Sequence, residues 1–542
     1  MNVLERAARA VGLSGRLPAP ISDANPLTRV RSQYMLGNMG NIFGRWRPAL
    51  REQHDEIASV WDTAAARTFD TIQNSGWING MVEQGVANTV GTGLRLKLTP
   101  DFQSLGWSAS ESSKWAERVE SRFDMWANSA YDFDIEGRLT FGLAQARLLR
   151  SYFATGEIWS ERVRRARSGS AWLTKIRMIS PTRMSHKTDD LARIFQGVEM
   201  NSDGLPIAYW PRHKRLHMGW DTEYRVSARD GFGMPRVHHG FDGFVGQIRG
   251  ISPLVPALRV ARQFDQLADA TLMAAIIQSV FAAVIKSDLP TDEFVQSLLT
   301  PQEMGELVSQ GNSPFDAWFE AQSGWYDTTS IDVGINGRLA HLFPGQELEF
   351  KGASHPSKDY KDFSLHLLRE LARCFGVTYE SATGDYEGAT YSSVRMAVNE
   401  IFAITLYRRA FLIAPFCQFA FENWLEEDIA AGNTPFPGGI NGFRDNRRAA
   451  CRARWRGAPK PQADDLKTAK AHQIWRDMGV MTDDMIAADL GVDIEDVYAA
   501  RAREMEMREE LGLPEPVAAG VMMTDQDPED DEPEPVVGGK KK

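Results

Sequence analysis

The feature that most constrains this chain is a helical stretch that opens at Ser252 and meets no stop signal until residues 287–290. Ser252 can cap a helix, and the two prolines that follow it suit a first turn, where a missing N–H costs little. A helix over 252–286 would be roughly 45–50 Å long at 1.5 Å per residue. Its second half, 270–285, is apolar on every side and must be covered on every side. Packing between copies of the chain in an oligomer achieves this, and so does the centre of a large monomeric core.

The run 270–285 does not predict a membrane span. It is shorter than the roughly 20 apolar residues that cross a bilayer. It also carries the polar residues Thr271, Gln278 and Ser279. We therefore expect no membrane partner.

The composition of the chain limits the classes of protein to which it can belong. With 542 residues, of which 43% are hydrophobic and 25% charged, the chain predicts several ordinary folded domains. A net charge of −11 disfavours general condensation onto DNA. The three cysteines, Cys374, Cys417 and Cys451, show no paired spacing and indicate a reducing cytoplasm without a disulfide framework. The basic N-terminus lacks the apolar core of a signal peptide.

The first 250 residues mix helical and strand patterns. Residues 61–90 have helical spacing, and the alternating run 94–98 is typical of a strand. A second helix is predicted over 110–129, with one apolar face formed by Trp115, Val119 and Phe123. Asp203-Gly204 marks a hairpin turn. This half of the chain is therefore predicted to be α+β.

Two helices with a polar loop between them are predicted further on. The first covers 357–376, ends at Gly376, and has one apolar face that comprises Phe363, Leu367, Leu371 and either Phe375 or Cys374. The loop covers 378–390, and loops of this length in compact domains are usually functional or disordered. The second helix follows the loop and should kink at Pro415. Residues 288–355, before the first helix, are Gly-rich and strand-like.

The C-terminal part divides into a helical module and a tail. Within 465–512, Thr482 and Asp493 are predicted N-caps. The predicted helix stops are Gly479, Gly491 and Gly512. Residues 514–542 are acidic and Pro-rich, which predicts disorder.

Sequence motifs give little support for an enzyme. The chain has no phosphate-cradling G-x-x-x-x-G-K-[ST], no H-E-x-x-H, no C-x-x-C and no G-x-S-x-G. His238 and His239 are adjacent, so a strand would point them to opposite faces, which disfavours a shared metal. We therefore predict no catalytic residue, cofactor or metal.

Two charged clusters admit simple interpretations. Glu426, Glu427 and Asp428 are predicted to form a solvated helix face. Four arginines could touch phosphate, although an exposed charged hairpin is the favoured interpretation; they are Arg162, Arg164, Arg165 and Arg167.

The order of these features resembles one known family. GQIRGISPL (246–254) opens the long helix, and YSSVR (391–395) opens the kinked one. Further matching motifs are ARTFDTIQNSGWINGMV…NTVGTGLRL, GVEMNSDGLPIAYW, W-x-G-x-P, GVMTDDMIAADLG and EMREELGL. In this order, over residues from about 30 to 513, they resemble the portal proteins of tailed bacteriophages of the lambda-like family.

The resemblance implies an α+β portal-type subunit with several domains. These are an N-terminal arm 1–30, an α+β wing 31–251, a stem helix 252–286, a strand-rich clip 287–356, a second stem helix 357–377, a tunnel loop 378–392, a kinked helix and wing return 393–464, a helical crown module 465–513 and a disordered acidic tail 514–542.

The resemblance also implies a function. Such a subunit forms a homo-oligomeric ring, usually of about twelve copies, at one capsid vertex. Double-stranded DNA is packaged and ejected through its channel. The ring docks a terminase, which supplies the ATPase, and later head–tail connector proteins, and it contacts major capsid and scaffolding proteins. Its location would be the virion, after assembly in the host cytoplasm. The alternatives are an acid-dependent hydrolase or nuclease, and a monomeric scaffold or adaptor.

Two sets of site residues follow from the resemblance. The DNA-facing candidates in the tunnel loop are Thr383, Asp385, Tyr386, Glu387, Tyr391, Ser392, Ser393 and Arg395. The candidates for subunit packing in the stem are Phe264, Leu267, Ile277, Phe281, Phe363, Leu367 and Leu371. Tyr391, Ser392 and Ser393 are expected to cap the kinked helix, and Arg395 to tie its first turn to a neighbour or to DNA. The acidic loop should repel phosphate weakly and let DNA slide.

Overall fold

The structure is a computed structural model. It describes residues 50–214, 221–280, 284–285, 302, 323–324, 331–332, 338–341, 359–460 and 465–513. The chain separates into two units, Met1–Glu56 and Ile57–Lys542. Of the first unit, the structure describes 50–56, where the first helix begins. In the described part of the chain, no helix is long and apolar enough to cross a bilayer. The predicted arm 1–30 and tail 514–542 lie outside the described residues.

Helices dominate the described chain. They are α1 Gln53–Asn74, α2 Gly76–Val90, α3 Phe102–Leu105, α4 Ala109–Asn128, α5 Ala130–Phe133, α6 Phe141–Thr155, α7 Leu258–Val280, α8 Asp359–Phe375, α9 Tyr379–Thr383, α10 Tyr391–Arg408, α11 Ala414–Ala430, α12 Gly439–Asp445, α13 Arg447–Ala450, α14 Asp465–Asp477, α15 Asp483–Asp489 and α16 Ile494–Glu510. Short 3₁₀ turns cover Pro181–Arg183 and Val255–Ala257, and Arg409–Ile413 is a π-helical turn.

The strands form small sheets. They are β1 Arg95–Leu98, β2 Glu157–Arg164, β3 Thr174–Ile179, β4 Ile194–Phe195, β5 Val198–Met200, β6 Pro206–Tyr209, β7 Arg212–Lys214, β8 Asp221–Glu223, β9 Val226–Ser227, β10 Val237–Phe241, β11 Val284–Ile285, β12 Ile331–Asp332, β13 Arg338–His341 and β14 Ala453–Arg456. The sheet orders are β1-β14, β10-β2-β3, β4-β5-β6-β9, β7-β8 and β11-β13-β12. The mixture confirms the α+β prediction, and β5 and β6 flank the predicted hairpin turn.

The main core gathers helices from both halves of the chain. Ser108 and Glu111 form a capping box that starts α4, whose buried face includes Val119 and Phe123, as the spacing predicts. The ring of Phe123 packs edge-on against Phe421 and Trp424 of α11, at centroid distances of 5.4 and 5.3 Å. The antiparallel pair β1-β14 joins the same two parts of the chain.

The prediction of a solvated acidic face on α11 is wrong. Glu426 and Asp428 are buried. Asp428 accepts two hydrogen bonds from Arg122, at 2.9 and 2.7 Å. Glu426 forms ion pairs with Arg164 and Arg444 at 3.2 and 3.0 Å. Arg122 and Arg164 lie hundreds of residues away in the sequence and Arg444 lies on another helix, so local charge patterning could not reveal these partners.

β2 and β3 form an antiparallel hairpin whose connection is largely exposed, as favoured from the sequence, but two of its four arginines are engaged within the chain. Arg162 is buried and forms an ion pair with Asp230 at 2.8 Å. Arg167 donates to the backbone carbonyls of Asp134 and Ile135, at 3.2 and 2.6 Å. Arg162 and Arg167 are thus engaged within the chain, whereas Arg164, which pairs with Glu426, and Arg165 are exposed.

The long predicted helix is shorter at both ends. A 3₁₀ turn, Val255–Ala257, precedes α7, which begins at Leu258. Ser252 lies before this turn, where its hydroxyl donates to the Phe153 carbonyl at 2.6 Å and accepts from Leu254 N–H at 3.1 Å. Near the other end, Val284–Ile285 is a strand that pairs with β13. The predicted clip otherwise lies largely outside the described residues.

The C-terminal helices follow the predicted signals except at one cap. Thr482 caps α15, and Gly479, Gly491 and Gly512 have φ of 73°, 78° and 62°, a region that favours glycine. Asp493 occupies the N-cap position of α16 without a side-chain cap bond. Its carboxylate instead pairs with Arg456. Lys97 adds an ion pair to Glu495 at 2.8 Å, so charges join this module to the β1-β14 sheet.

At this junction, we expect the contribution of Glu120 to the stability of the fold to depend on pH. Glu120 accepts a hydrogen bond from Leu98 N–H at 2.5 Å, and Lys97 lies 3.9 Å away. Burial raises the pKa of Glu120 from 4.5 to about 7, and it outweighs the hydrogen bond from Leu98 and the charge of Lys97, which lower the pKa. A raised pKa means that protonated Glu120 stabilises the fold. This contribution is full below about pH 4.5 and is lost as pH rises through about 7.

We therefore expect Glu120→Gln to raise the melting temperature at about pH 8 and to leave it unchanged at about pH 4. Glutamine keeps the acceptor for Leu98 but removes the buried charge. Thermal unfolding of both proteins at the two pH values measures this. The exposed Glu117→Gln on the same helix is the matched control. A lower melting temperature for Glu120→Gln at about pH 8 would contradict the prediction.

Candidate functional site

The predicted tunnel loop begins at a sharp helix end. Gly376 follows α8 with φ of +68°, and a Cβ there would lie 3.0 Å from Ile404 and 3.1 Å from the Arg408 guanidinium. Glycine is therefore required by both conformation and space. Arg408 Nη1 donates to the Phe375 carbonyl at 2.7 Å and caps the end of α8. The predicted stop at Gly376 is confirmed.

Part of the loop is helical, which corrects the prediction of an irregular segment over 378–390. Thr378 accepts a hydrogen bond from Ser381 N–H at 3.0 Å and caps α9. Gly384 ends that helix with φ of 69°. Thr383 is half-buried, and its hydroxyl donates to the Tyr379 carbonyl of the preceding turn at 2.9 Å.

The acidic turn after α9 is partly neutralised. Asp385 accepts from Glu387 N–H at 3.0 Å and from the Tyr379 hydroxyl at 3.2 Å. The bond from the Glu387 backbone, followed by that from Tyr379 and the charge of Lys361, lowers the pKa of Asp385. Glu387 forms an ion pair with Lys361 of α8, and both side chains are exposed. Lys361 therefore offsets the charge of Glu387, whereas Asp385 stays ionised.

Tyr386 of the loop lines a cavity of about 300 Å³. Its side chain is largely exposed. The cavity is bounded by α10, by α2 and by the chain after β14; its lining includes Val394, Val398, Ile401, Phe402, Gln84, Ala87, Asn88, Ala458 and Pro459. This space lies directly beside the segment that the sequence selected.

The residues that cap α10 are not all those that were predicted. Thr390 and Ser393 form a capping box: Ser393 N–H donates to Thr390 Oγ1 at 3.2 Å, and Thr390 N–H donates to Ser393 Oγ at 3.0 Å. Ser393 is thus a cap residue as predicted, whereas Tyr391 and Ser392 lie in the first turn. The Tyr391 side chain lies outside the described residues. Arg395 is exposed and makes no ion pair with a carboxylate in the described ranges.

The predicted kink takes the form of a π-helical turn. Arg409–Ile413 separates α10 from α11, and Pro415 occupies the first turn of α11. Arg409 is buried here. Its guanidinium donates to the carbonyls of Thr89, Ala458 and Asn88, at 2.6, 2.8 and 2.9 Å.

The predicted stem residues divide by burial. Phe264, Leu367 and Leu371 are buried, and Leu267 packs against the same core. Phe363 is 54% exposed, so it does not belong to the buried face of α8. The side chain of Ile277 and all of Phe281 lie outside the described residues. Contacts between subunits at these positions stay a prediction.

Sequence reasoning missed the arginine pair at the end of α10, and it included three exposed apolar residues of α7 only as part of the run 270–285. Leu272, Met273 and Ile276 of α7 are 62%, 59% and 47% exposed. The arginine pair Arg408 and Arg409 lies inside an otherwise apolar helix, ITLYRRAFLIAPF. A charged pair in such a context was the available signal, because a buried charge needs partners.

The two adjacent histidines point to opposite faces, as predicted. His239 stacks on Trp159 at a centroid distance of 3.6 Å and lies 3.1 Å from Glu157. His238 faces Phe419 instead, at 5.8 Å. Across the described ranges, no group of three or more His, Cys, Asp or Glu side chains is placed to hold a metal ion.

Comparison with known families decides the class of protein. The family described as "Phage portal protein, lambda family" matches residues 39–409, which is more than half of the chain. This chain belongs to that family. The membership confirms the portal function predicted from the motif order.

Individual portal relatives match over nearly the whole chain. "Portal protein" of Escherichia phage N15 is 25% identical over 508 residues, 91% of this chain and 94% of the relative. "Portal protein B" of Escherichia phage lambda is 25% identical over 492 residues, 89% and 90% of the two chains. "Probable portal protein" of Halomonas phage phiHAP-1 is 24% identical over 576 residues, 98% of each.

Solved structures give more distant likenesses. A chain from the neck of an empty gene transfer agent particle, computed with C6 symmetry, has 14% identity and a TM-score of 0.41, with 86% of this chain and 96% of that chain covered. A chain from the neck of the native particle, computed with C12 symmetry, has 15% identity and a TM-score of 0.33, with 76% and 98% covered.

Proposed function

We propose that this portal-family chain is the subunit of a ring, of about twelve copies, that forms a DNA channel at one capsid vertex. The observation that carries the proposal is the apolar face of α7. Leu272, Met273 and Ile276 stand exposed along it. Contiguous exposed apolar surface marks an interaction site, and a ring would cover it with the next copy.

The ring would conduct double-stranded DNA during packaging and ejection. Its role would be structural, with a terminase supplying the ATPase, and the sequence carries no phosphate-cradling motif of its own. Head–tail connector proteins would replace the terminase later, and major capsid and scaffolding proteins would hold the ring. The location would be the virion, with assembly in the host cytoplasm.

The segment 378–392 would face DNA in the channel. Its exposed polar side chains include Tyr386, Glu387 and Ser392, with Arg395 just beyond. Lys361 is paired with Glu387, and the ionised Asp385 repels phosphate, so Arg395 is the main attractive charge that the described residues of this segment and the first turn of α10 offer to DNA. Weak contact of this kind suits a conduit, since strong phosphate binding would hold the DNA in place.

The double variant Leu272→Asp/Ile276→Asp tests the proposed ring. We expect wild-type protein to form particles of about 0.7 MDa, twelve times 60.6 kDa, and the variant to remain a single chain with unchanged helix content by circular dichroism. Mass photometry and negative-stain microscopy measure this. Phe244→Asp, an exposed apolar position elsewhere, should form rings like wild type.

Two results would count against the ring. One is rings of normal size from the double variant. The other is a 60.6 kDa wild-type species at micromolar concentration, which would favour the monomeric scaffold. The hydrolase or nuclease alternative predicts a metal- or pH-dependent turnover that is lost on changing one acid.

A further inference from the structure

Two adjacent buried arginines at the carboxyl end of α10 point to two different helices. Arg408 and Arg409 are each 8% exposed. Arg408 reaches the end of α8, where it donates to the Phe375 carbonyl at 2.7 Å and lies 4.9 Å from the ring of Phe153. Arg409 reaches the end of α2, where it donates to Asn88 and Thr89. Each arginine therefore caps a different helix.

Capping explains why these charges are buried. Neither guanidinium forms an ion pair with a carboxylate in the described parts of the chain. The last carbonyls of a helix lack partners within the helix and carry partial negative charge, so a cation is stabilised there. Bonds from a charged donor are about twice as strong as neutral ones. Loss of either arginine would leave buried carbonyls unpaired.

The helix that follows the arginine pair is much more deeply buried than the helix that precedes it. After the π-helical turn Arg409–Ile413, α11 is buried, with Phe416, Phe421 and Trp424 in the core. Before it, α10 is largely exposed, and Ile401 and Thr405 are among its few buried side chains. Hence α10 is held mainly at its carboxyl end.

The free part of α10 borders empty space. Val394, Val398 and Phe402 line the cavity of about 300 Å³ that separates α10 from α2. This cavity is open to solvent, so no packed neighbour among the described residues holds α10 on this side. Arg409 bonds to Asn88 and Ala458, two residues of the opposite wall, and thereby fixes one end of the gap.

We infer that Arg408 and Arg409 are positioning residues that form a fixed pivot for the segment 378–392 and the first turns of α10. Arg408 holds both ends of the segment together, because it sits on α10 and binds the end of α8. Arg409 anchors the same helix to α2. The cavity gives α10 room to tilt about this pivot and to carry the segment with it. The inference rests on the proposed function only for the segment's place in a DNA channel.

Amide hydrogen exchange on the full chain tests the pivot. We expect Arg408→Gln and Arg409→Gln to speed exchange in 378–400 by about tenfold or more, and to leave α11 unchanged. Arg408→Lys should restore part of the protection, since lysine keeps the charge and one donor. The exposed Arg448→Gln is the matched control and should change neither region. Equal acceleration in α11 would overturn the pivot and indicate general destabilisation.

A second variant is expected to slow hydrogen exchange, and it removes no buried hydrogen bond. Val398→Phe adds bulk on the cavity wall and should slow exchange in 378–400 by about threefold or more. Unchanged or faster exchange there, with α11 unaffected, would overturn the inference. These readouts do not require a ring. A failure of ring assembly would therefore overturn the proposed function. The pivot would still be tested by hydrogen exchange alone.

Discussion

Replacing Arg249 by leucine is expected to destabilise the folded chain by about 3–5 kcal/mol, because it leaves a buried carboxylate without its main partner. Glu157 is fully buried. Arg249 Nε lies 3.0 and 2.9 Å from its two carboxylate oxygens, and Nη2 lies 2.5 Å from Oε1. The guanidinium also lies 5.1 Å from the ring of Trp61 and 5.7 Å from that of Trp159. Differential scanning calorimetry measures the loss.

Matched variants separate the charge from the geometry. Arg249→Lys keeps the charge but loses the fork that binds both oxygens, so we expect a smaller loss. The double variant Arg249→Leu/Glu157→Leu should recover much of the stability, because apolar pairs often replace buried ion pairs at little cost. A double variant less stable than Arg249→Leu alone would contradict this account.

The same pair predicts a pH dependence. Burial opposes ionisation of Glu157, but the charge of Arg249 and the bonds from His239 and Arg249 outweigh it and lower the pKa of Glu157 from 4.5 to about 2. A lowered pKa means that the ionised form stabilises the fold. Its contribution is full above about pH 4.5 and is lost as pH falls towards about 2. Arg249→Leu should therefore flatten the acid side of the stability profile.

The second large effect is expected for Asp428→Ala, at about 3–5 kcal/mol. Asp428 lies at the end of α11 and connects three distant parts of the chain. Arg122 donates to both of its oxygens, Trp172 Nε1 donates at 3.0 Å, and the Thr434 hydroxyl donates at 2.6 Å. Alanine would leave Arg122 without its carboxylate and Trp172 Nε1 without its acceptor in a buried place.

Calorimetry again supplies the measurement for Asp428→Ala. Asp445→Ala, at an exposed acid on the neighbouring α12, should change stability by no more than about 0.5 kcal/mol. Arg122→Met removes the other partner and should cost a similar amount to Asp428→Ala. If Asp428→Ala behaves like Asp445→Ala, the network around Asp428 contributes little to stability and our account of α11 is wrong.

Local sequence determined the features that depend on neighbouring residues. The apolar spacing of 110–129 predicted the buried face of α4, and the alternation of 94–98 predicted β1. Gly376 was readable as a helix end because positive φ is costly for other residues. The order of short motifs predicted the family, since each motif records a local requirement.

The tertiary structure alone decided which charges are buried and which apolar surfaces remain open. Glu426 and Asp428 read locally as a solvated face, yet they bind arginines from elements hundreds of residues away. Arg408 and Arg409 gave no local hint of which helices they would cap. Sequence spacing specifies periodicity along one element. Partners across elements depend on how several helices and sheets pack, and that packing fixed both the buried ion pairs and the exposed face of α7.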